Sequence, residues 1–232
     1  MIEETVRFYS SENLQLEGVL TYKEDLRWGH KVLLCSPHPN LGGNMDNNVI
    51  LALAQMLAEN GFITMRFNYR GVGGSQSHCK DFAENYKYWE TTFGDGNLEG
   101  PMNDAEAALE FLKSTATEDF LRVFIVGYSF GAVIGMKVGV NENSVEAFAG
   151  IAAPFGAYSF DFLTMSKKPK LFICSDNDFA TTVEDIEVAV ARLSGPKELT
   201  IKTHSSHFYI GTEKELCQDV LHFFQQHCQA CT

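Results

Sequence analysis

The sequence predicts one α/β domain in which a mostly parallel central sheet carries helices on both faces and an antiparallel edge at its N-terminus. Runs typical of strands alternate with runs typical of helices along the whole chain. The run at 31–35 is short and continuously apolar, as in a strand that is buried on both faces. The chain has 232 residues, 45% of them hydrophobic, which is enough for one sizeable core, and no linker-like stretch divides it.

Local patterns predict the elements in order. Alternating apolar and polar residues at 6–10 and 14–22, on either side of a polar turn, predict an antiparallel hairpin at the sheet edge. The apolar run at 31–35 predicts a central strand, and apolar residues at helical spacing over 49–60, ended by Gly61, predict the first helix. Further strands are predicted at 62–67, 122–126, 147–153, 170–174 and 197–203, and further helices at 104–112, 131–140, 183–193 and 214–227.

Composition excludes several classes of partner. The formal net charge of −12 disfavours binding to nucleic acid or to an anionic membrane surface. No apolar run approaches the roughly 20 residues of a membrane span, and the acidic N-terminus lacks the basic start of a signal peptide. We therefore expect a cytoplasmic protein, either a monomer or a weak homodimer, with no nucleic-acid or membrane partner.

Neither the cysteines nor the glycine-rich segment predicts a cofactor. Cys228 and Cys231 have C-x-x-C spacing, but no second ligand pair at matching spacing precedes them, so we expect no metal. The glycines at 71–74 do not open a helix, as a dinucleotide-binding fingerprint would require. We expect no organic cofactor either.

The segment 127–131 reads Gly-Tyr-Ser-Phe-Gly, a G-x-S-x-G pentapeptide between an apolar strand pattern and a helical pattern. This order is that of a nucleophile elbow, in which a sharp turn holds a serine in a strained conformation. Gly127 and Gly131 have no side chains, as we expect at two positions where the turn leaves no space for one. Ser129 is therefore the candidate nucleophile.

A serine nucleophile needs a base, and the base needs a carboxylate that orients it. Asp176 and Asp178 both follow the strand predicted at 170–174, and local patterns do not choose between them. The loop after the last predicted strand carries His204 and His207. His204 lies nearer to the end of the predicted strand, and its position alone therefore favours it as the base.

Catalysis at a serine also requires two N–H donors aimed at the oxyanion. One should be the amide of Phe130, directly after the nucleophile. The other should come from the loop that follows the strand at 31–35, where prolines and glycines set an unusual backbone path. A purely structural turn is the alternative for that loop.

Together these motifs resemble those of the small, lidless bacterial-type serine hydrolases of the α/β-hydrolase superfamily. The segment 36–47 is similar to the family's H-P-H-P-x-x-G-G-x-M-x-N loop, with Ser36 in place of the first histidine. The segment 66–75 resembles its R-F-N-[FY]-R-G-V-G-x-S motif, and 127–131 its G-[FY]-S-F-G elbow. The loops at 175–178 and 206–211 look like the family's acid and base loops.

The resemblance implies an α/β-hydrolase fold and a division of roles. It implies Asp178 as the acid and His207 as the base, against the preference for His204. It also implies the backbone amide of Asn40 as the second oxyanion donor, with Leu41 as the alternative. The expected activity is hydrolysis of small esters, or of amides or thioesters, through an acyl-enzyme. A serine peptidase and a non-catalytic binding protein that keeps the fold are the alternatives.

One segment departs from the family pattern. Residues 77–101 are longer than the family's connection and rich in aromatic residues. Such a segment is typical of a lid or binding loop, or else of an extra surface helix or a self-packed loop. We expect a small acyl substrate, bound in part by Trp89 of this insertion together with Leu41 and Tyr128.

Overall fold

The structure, a computed structural model, describes residues 1–24, 30–94, 96–115 and 122–228. Within these residues one eight-stranded sheet forms the centre of the molecule. The strands are β1 (Ile2–Tyr9), β2 (Gln15–Tyr22), β3 (Lys31–Cys35), β4 (Ile63–Phe67), β5 (Val123–Tyr128), β6 (Val145–Ile151), β7 (Lys170–Asn177) and β8 (Lys197–Ser206). The helices are α1 (Asn48–Glu59), α2 (Phe82–Glu90), α3 (Glu99–Ser114), α4 (Phe130–Gly139), α5 (Val183–Arg192) and α6 (Glu213–His227).

The sheet order is β1-β2-β4-β3-β5-β6-β7-β8. β1 pairs with β2, and β2 with β4, in antiparallel register, while every later pair is parallel. The prediction of a mostly parallel sheet with an antiparallel N-terminal edge is therefore confirmed. Because β3, β5, β7 and β8 run in the same direction, the loops after their carboxyl ends meet at one edge of the sheet.

Helices cover both faces of the sheet, as predicted. Val32 and Leu34 of β3 pack in a core with residues of α1 and α6. Leu33 and Cys35, which point to the opposite face, pack in a second core with residues of α3, α4 and α5. Because successive side chains point to opposite faces, β3 and β5 are fully buried directly before the loop at 36–47 and before Ser129.

The parallel pairing of β7 and β8 is irregular near its end. Ser175 pairs with Lys202, but Asn177 pairs with Ser206, so β8 carries two more residues than β7 over this interval. His204 lies inside the bulge and has a φ of 57°. A bulge of this kind redirects the side chains that follow it.

The insertion contains an element that the periodic patterns missed. α2 begins after Asp81, whose carboxylate accepts a hydrogen bond from the amide of Glu84 at 2.9 Å. The sequence Asp81-Phe-Ala-Glu84 is a helix-capping pattern that could have predicted this start. Of the alternatives for the insertion, an additional helix is the one that the structure shows.

No helix in the described part of the chain is long and apolar enough to span a membrane. Across the same residues, no three His, Cys, Asp or Glu side chains cluster as a metal site would require. The C-x-x-C spacing of Cys228 and Cys231 lies partly outside the described residues, since Cys231 is not among them.

Candidate active site

Ser129 stands at the sharp turn between β5 and α4, with φ 54° and ψ −120°. Such a backbone conformation is strained for any residue that has a side chain. A Cβ atom at Gly131 would overlap the carbonyl oxygen of Cys35, and one at Gly127 would overlap the backbone of Ala132. The expectation that both glycines relieve crowding at the elbow is therefore confirmed.

His207 lies next to Ser129. Its Nε2 atom is 3.2 Å from the Oγ atom of Ser129, so the hydroxyl can donate to the imidazole. His207 is 5% exposed and its ring packs against Phe179, with 4.4 Å between ring centroids. The hydroxyl of Tyr128 donates to the carbonyl oxygen of His207 at 2.7 Å, which ties the base loop to the strand that carries the serine.

The carboxylate of Asp178 lies on the other side of His207. The Nδ1–H group of His207 donates to Oδ1 of Asp178 at 2.8 Å, and the amide of Ala180 donates to the same oxygen at 2.8 Å. The Asp178 side chain is 1% exposed. A buried carboxylate in this position holds the imidazole in one tautomer, with Nε2 free to accept a proton.

Asp176 and His204 lie away from this group of residues. Asp176 is exposed, and its carboxylate accepts the amides of His204 at 2.9 Å and Ser205 at 3.4 Å. Both backbone hydrogen bonds lower the pKa of Asp176, and the one from His204 has the larger effect. Asp176 thus satisfies amides that the bulge leaves unpaired, and the bulge brings His207 rather than His204 next to Ser129. The preference for His204 from its position is wrong in this respect.

The amide of Phe130 is the first of α4 and so has no intrahelical acceptor. The loop after β3 forms a short 3₁₀ helix, Pro39–Leu41. There the amide of Asn40 donates to Nδ1 of His38 at 3.2 Å, and the amide of Leu41 donates to the carbonyl oxygen of His38 at 2.9 Å. Both amides predicted as the second oxyanion donor therefore already have an acceptor within the loop.

The residues predicted to bind substrate differ in exposure. Leu41 is 61% exposed, whereas Tyr128 is 2% exposed and Trp89 is completely buried. Burial, followed by the charge of Asp178, raises the pKa of Tyr128, so its phenol stays protonated and donates to His207. Trp89 and Tyr128 are thus buried in the core, where Trp89 packs against His38 and Tyr128 is hydrogen-bonded to His207, while Leu41 lies at the surface.

Two apolar side chains near the base were not predicted. Phe179 is 68% exposed and Phe208 is 53% exposed, and both rings contact His207. Each directly follows a predicted site residue, Asp178 or His207, and this adjacency is the signal that could have found them. Exposed aromatic side chains beside a reactive group favour the binding of an apolar ligand.

This chain is similar in sequence to a known protein family and to one curated protein. The family model described as the dienelactone hydrolase family matches residues 38–219. An uncharacterised protein of Rickettsia prowazekii (strain Madrid E) is 31% identical over 185 residues, which cover 76% of this chain and 71% of that protein.

Solved structures of α/β serine hydrolases match nearly the whole chain. An α/β serine hydrolase homologue from Coxiella burnetii is 28% identical, with a TM-score of 0.78 over 96% of this chain and 97% of that one. A serine hydrolase without a lid from Xanthomonas campestris has a TM-score of 0.80 at 21% identity, over 99% of this chain and 97% of that one. The predicted α/β-hydrolase fold is confirmed.

Proposed function

This chain belongs to the dienelactone hydrolase family, and we propose that it is a serine hydrolase that cleaves small carboxylic esters through an acyl-enzyme. The observation that carries the proposal is the continuous line of contacts from Ser129 through His207 to Asp178, at 3.2 Å and 2.8 Å. A hydroxyl, an imidazole and a buried carboxylate in this order are what nucleophilic acyl transfer requires.

In the first half of the reaction, His207 accepts the proton of Ser129 as the serine oxygen attacks the ester carbonyl. Asp178 orients the ring and stabilises the imidazolium that forms. The tetrahedral intermediate collapses when the C–O bond to the leaving alcohol breaks and His207 returns the proton to that oxygen. The products of this half are the free alcohol and an acyl group on Ser129.

In the second half, water takes the place of the alcohol. His207 accepts a proton from the water as its oxygen attacks the acyl carbonyl, and the carboxylic acid leaves when His207 returns the proton to Ser129. In both halves the amides of Phe130 and Asn40 are the proposed donors to the oxyanion. The amide of Phe130 is suited to this because it lies at a helix N-terminus.

The surroundings of the base favour an uncharged, apolar acyl or alcohol group. Phe179 and Phe208 are exposed beside His207, and Leu41 is exposed in the loop that follows β3. Burying such surface against a ligand contributes about 25 cal/mol per Å². The chain between β6 and β7 covers only residues 152–169, which leaves no room for a large cap domain.

Labelling with a fluorophosphonate probe tests the nucleophile. We expect one covalent adduct per chain, located at Ser129 by peptide mass spectrometry and absent from Ser129→Ala. Unmodified Ser129 in the folded wild-type protein would favour a non-catalytic binding protein instead. Circular dichroism of both proteins controls for folding.

The leaving group and the acyl chain are tested with matched substrates. We expect p-nitrophenyl acetate and butyrate to be hydrolysed with higher kcat/KM than aminoacyl p-nitroanilides. A higher kcat/KM on the anilides would identify a peptidase rather than an esterase. A decline from butyrate to octanoate would limit the acyl site to short chains.

A further inference from the structure

His38 lies between the two proposed oxyanion donors. Its Nδ1 atom accepts the amide of Asn40 at 3.2 Å, and its ring packs edge-on against the ring of Phe130, with 5.0 Å between centroids. The side chain is 2% exposed and takes no part in the proton transfers of the proposed mechanism. A buried histidine that accepts the Asn40 amide and packs against the Phe130 side chain is placed to determine where the Asn40 amide points.

The hydrogen bonds of His38 define a single tautomer. Because Nδ1 accepts from Asn40, it carries no proton, and the ring proton must be on Nε2. Nε2 lies 2.8 Å from the hydroxyl oxygen of Thr92 and can donate to it. The Thr92 hydroxyl in turn donates to the carbonyl oxygen of Trp89 at 2.7 Å. His38 and Thr92 each accept one hydrogen bond and donate one, so the donor and acceptor roles agree from the Asn40 amide to the Trp89 carbonyl oxygen.

The environment keeps His38 neutral. Burial lowers its pKa to about 4, although a hydrogen bond to the backbone of Trp89 opposes the effect. The ring stacks on Phe93 with 4.1 Å between centroids and meets Trp89 edge-on at 5.6 Å. A neutral ring preserves the unprotonated Nδ1 atom, and packing on three sides prevents the ring from turning.

The partners of His38 come from the insertion at 77–101. Thr92, Phe93 and Trp89 all belong to it, and the side-chain amide of Asn40 also donates to the carbonyl oxygen of Tyr86 in α2 at 2.9 Å. Trp89 is fully buried, so this end of the insertion is anchored in the core. The insertion is thus bonded to the loop that follows β3 at two points.

We propose that His38 is a positioning residue for the oxyanion-binding amide of Asn40, held in its working tautomer by Thr92, and that the insertion serves as a brace for this loop. The inference rests on the proposed function, since it assigns His38 a role in that reaction. An N–H group held in place before the substrate binds stabilises an oxyanion more than one that must first reorient. In this arrangement the Asn40 N–H donates both to the oxyanion and to His38 Nδ1, in a three-centre hydrogen bond.

Thr92→Val tests the brace, because valine keeps the shape of threonine and removes the hydroxyl. The variant removes the acceptor that lies 2.8 Å from Nε2, which weakens the preference for the Nε2–H tautomer. In the tautomer with a proton on Nδ1, that N–H group would face the Asn40 amide, which is also a donor. We expect kcat on p-nitrophenyl acetate to fall roughly tenfold, with KM changed less than about twofold. Thr92→Ser restores the hydroxyl, and we expect it to recover most of kcat.

Two variants of His38 separate its hydrogen bonds. In His38→Asn the new side chain can still accept the amide two residues ahead, as in an Asx-turn, but cannot reach Thr92. The side chain of His38→Leu accepts no hydrogen bond. We expect His38→Leu to lose on the order of 100-fold in kcat and His38→Asn to lose clearly less. Equal losses would show that packing alone matters and would overturn the inference.

Nitrogen NMR of the imidazoles gives a readout that does not depend on activity. We expect the His38 ring of the wild type to be protonated on Nε2 and bare on Nδ1, and this preference to weaken in Thr92→Val. An Nδ1–H wild type, or a folded Thr92→Val with wild-type kcat, would reject the role of His38 while leaving the hydrolase intact. If the wild type neither hydrolyses esters nor reacts with the fluorophosphonate, the proposed function fails, and the catalytic role of His38 fails with it.

Discussion

The Nδ1 atom of His207 lies 2.8 Å from Oδ1 of Asp178, while Asp176, two residues earlier, accepts the amides of His204 and Ser205. Two carboxylates on one loop therefore have different tasks. One orients the imidazole beside Ser129, and the other satisfies the backbone of a bulge. Substitutions at the two positions should separate these tasks.

Asp178→Asn keeps the shape of the side chain and removes its charge. We expect kcat/KM on p-nitrophenyl acetate to fall by about 10³- to 10⁴-fold, because the neutral amide gives the imidazolium no counter-charge and its NH₂ group can donate to Nδ1 and hold the wrong tautomer. Asp176→Asn is the matched control, and its kcat/KM should stay within about threefold of the wild type. A larger loss at Asp176 than at Asp178 would exchange the two assignments.

The two histidines of the base loop provide a second matched pair. His207→Gln should lower kcat/KM by at least about 10³-fold, since no other group of the described site can accept the serine proton. His204→Asn should have little effect, because asparagine tolerates the positive φ of 57° and the side chain of His204 is exposed. Fluorophosphonate labelling rates of both variants provide the measurement, with thermal unfolding as the folding control.

Close packing at the elbow predicts a large loss of stability in Gly131→Ala. The added methyl group would overlap the carbonyl oxygen of Cys35, and neither backbone can move far. We expect the free energy of unfolding to fall by more than about 3 kcal/mol in urea titrations. Gly211→Ala is the comparison, because Gly211 has a φ of 82° with no heavy atom within 4 Å of the added group. For Gly211→Ala we expect the free energy of unfolding to fall by only about 1 kcal/mol, which is the cost of the strained backbone.

A buried ion pair joins the glycine-rich loop after β4 to α3. The guanidinium of Arg70 donates to the Asp104 carboxylate at 2.9 Å and to Glu12 at 2.9 Å, and Asp104 is fully buried. Asp104→Asn leaves the buried Arg70 without its main counter-charge, and we expect a loss of about 3–5 kcal/mol in unfolding free energy. Glu12→Gln should cost less than about 1 kcal/mol, because Glu12 is 35% exposed and water screens its charge. Similar losses in the two variants would contradict this account.

Burial of His38 predicts a pH dependence of stability. Its pKa in the folded state is lowered from 6.5 to about 4, so between these values the unfolded chain binds a proton that the native protein does not. Stability should therefore fall as the pH drops from about 6.5 towards 4, with a contribution from His38 on the order of 2–3 kcal/mol. His38→Asn, which does not titrate, should show a shallower loss between pH 7 and 4.5 in urea titrations. Equal slopes for the two proteins would contradict the lowered pKa.

Local sequence patterns predicted most of the fold. The strand patterns predicted all eight strands, because the central runs, such as β3 and β5, are apolar and fully buried, and the edge run of β1 alternates between buried and exposed residues near its end. α2 was missed since Trp89 is its one buried residue, which leaves little apolar periodicity to read. Its capping residues, Asp81 and Glu84, were the available signal.

The sequence by itself also determined which loops meet at the active edge. A strand followed by Gly-Tyr-Ser-Phe-Gly places Ser129, and the order of the later parallel strands brings an acid loop and a base loop to the same edge. These follow from short-range patterns and from the common direction of the strands.

The family resemblance implied Asp178 and His207, but only the tertiary structure shows why these side chains, and not Asp176 and His204, lie next to Ser129. Counting from the ends of the strands favoured His204, but the extra residues of β8 opposite Ser175–Asn177 shift the register, and His207 is the histidine that reaches the serine. In the same way, aromatic composition suggested that Trp89 would contact a substrate, whereas packing buries it behind His38 and Phe130. Register and burial depend on contacts between residues far apart in the chain, and no local pattern contains them.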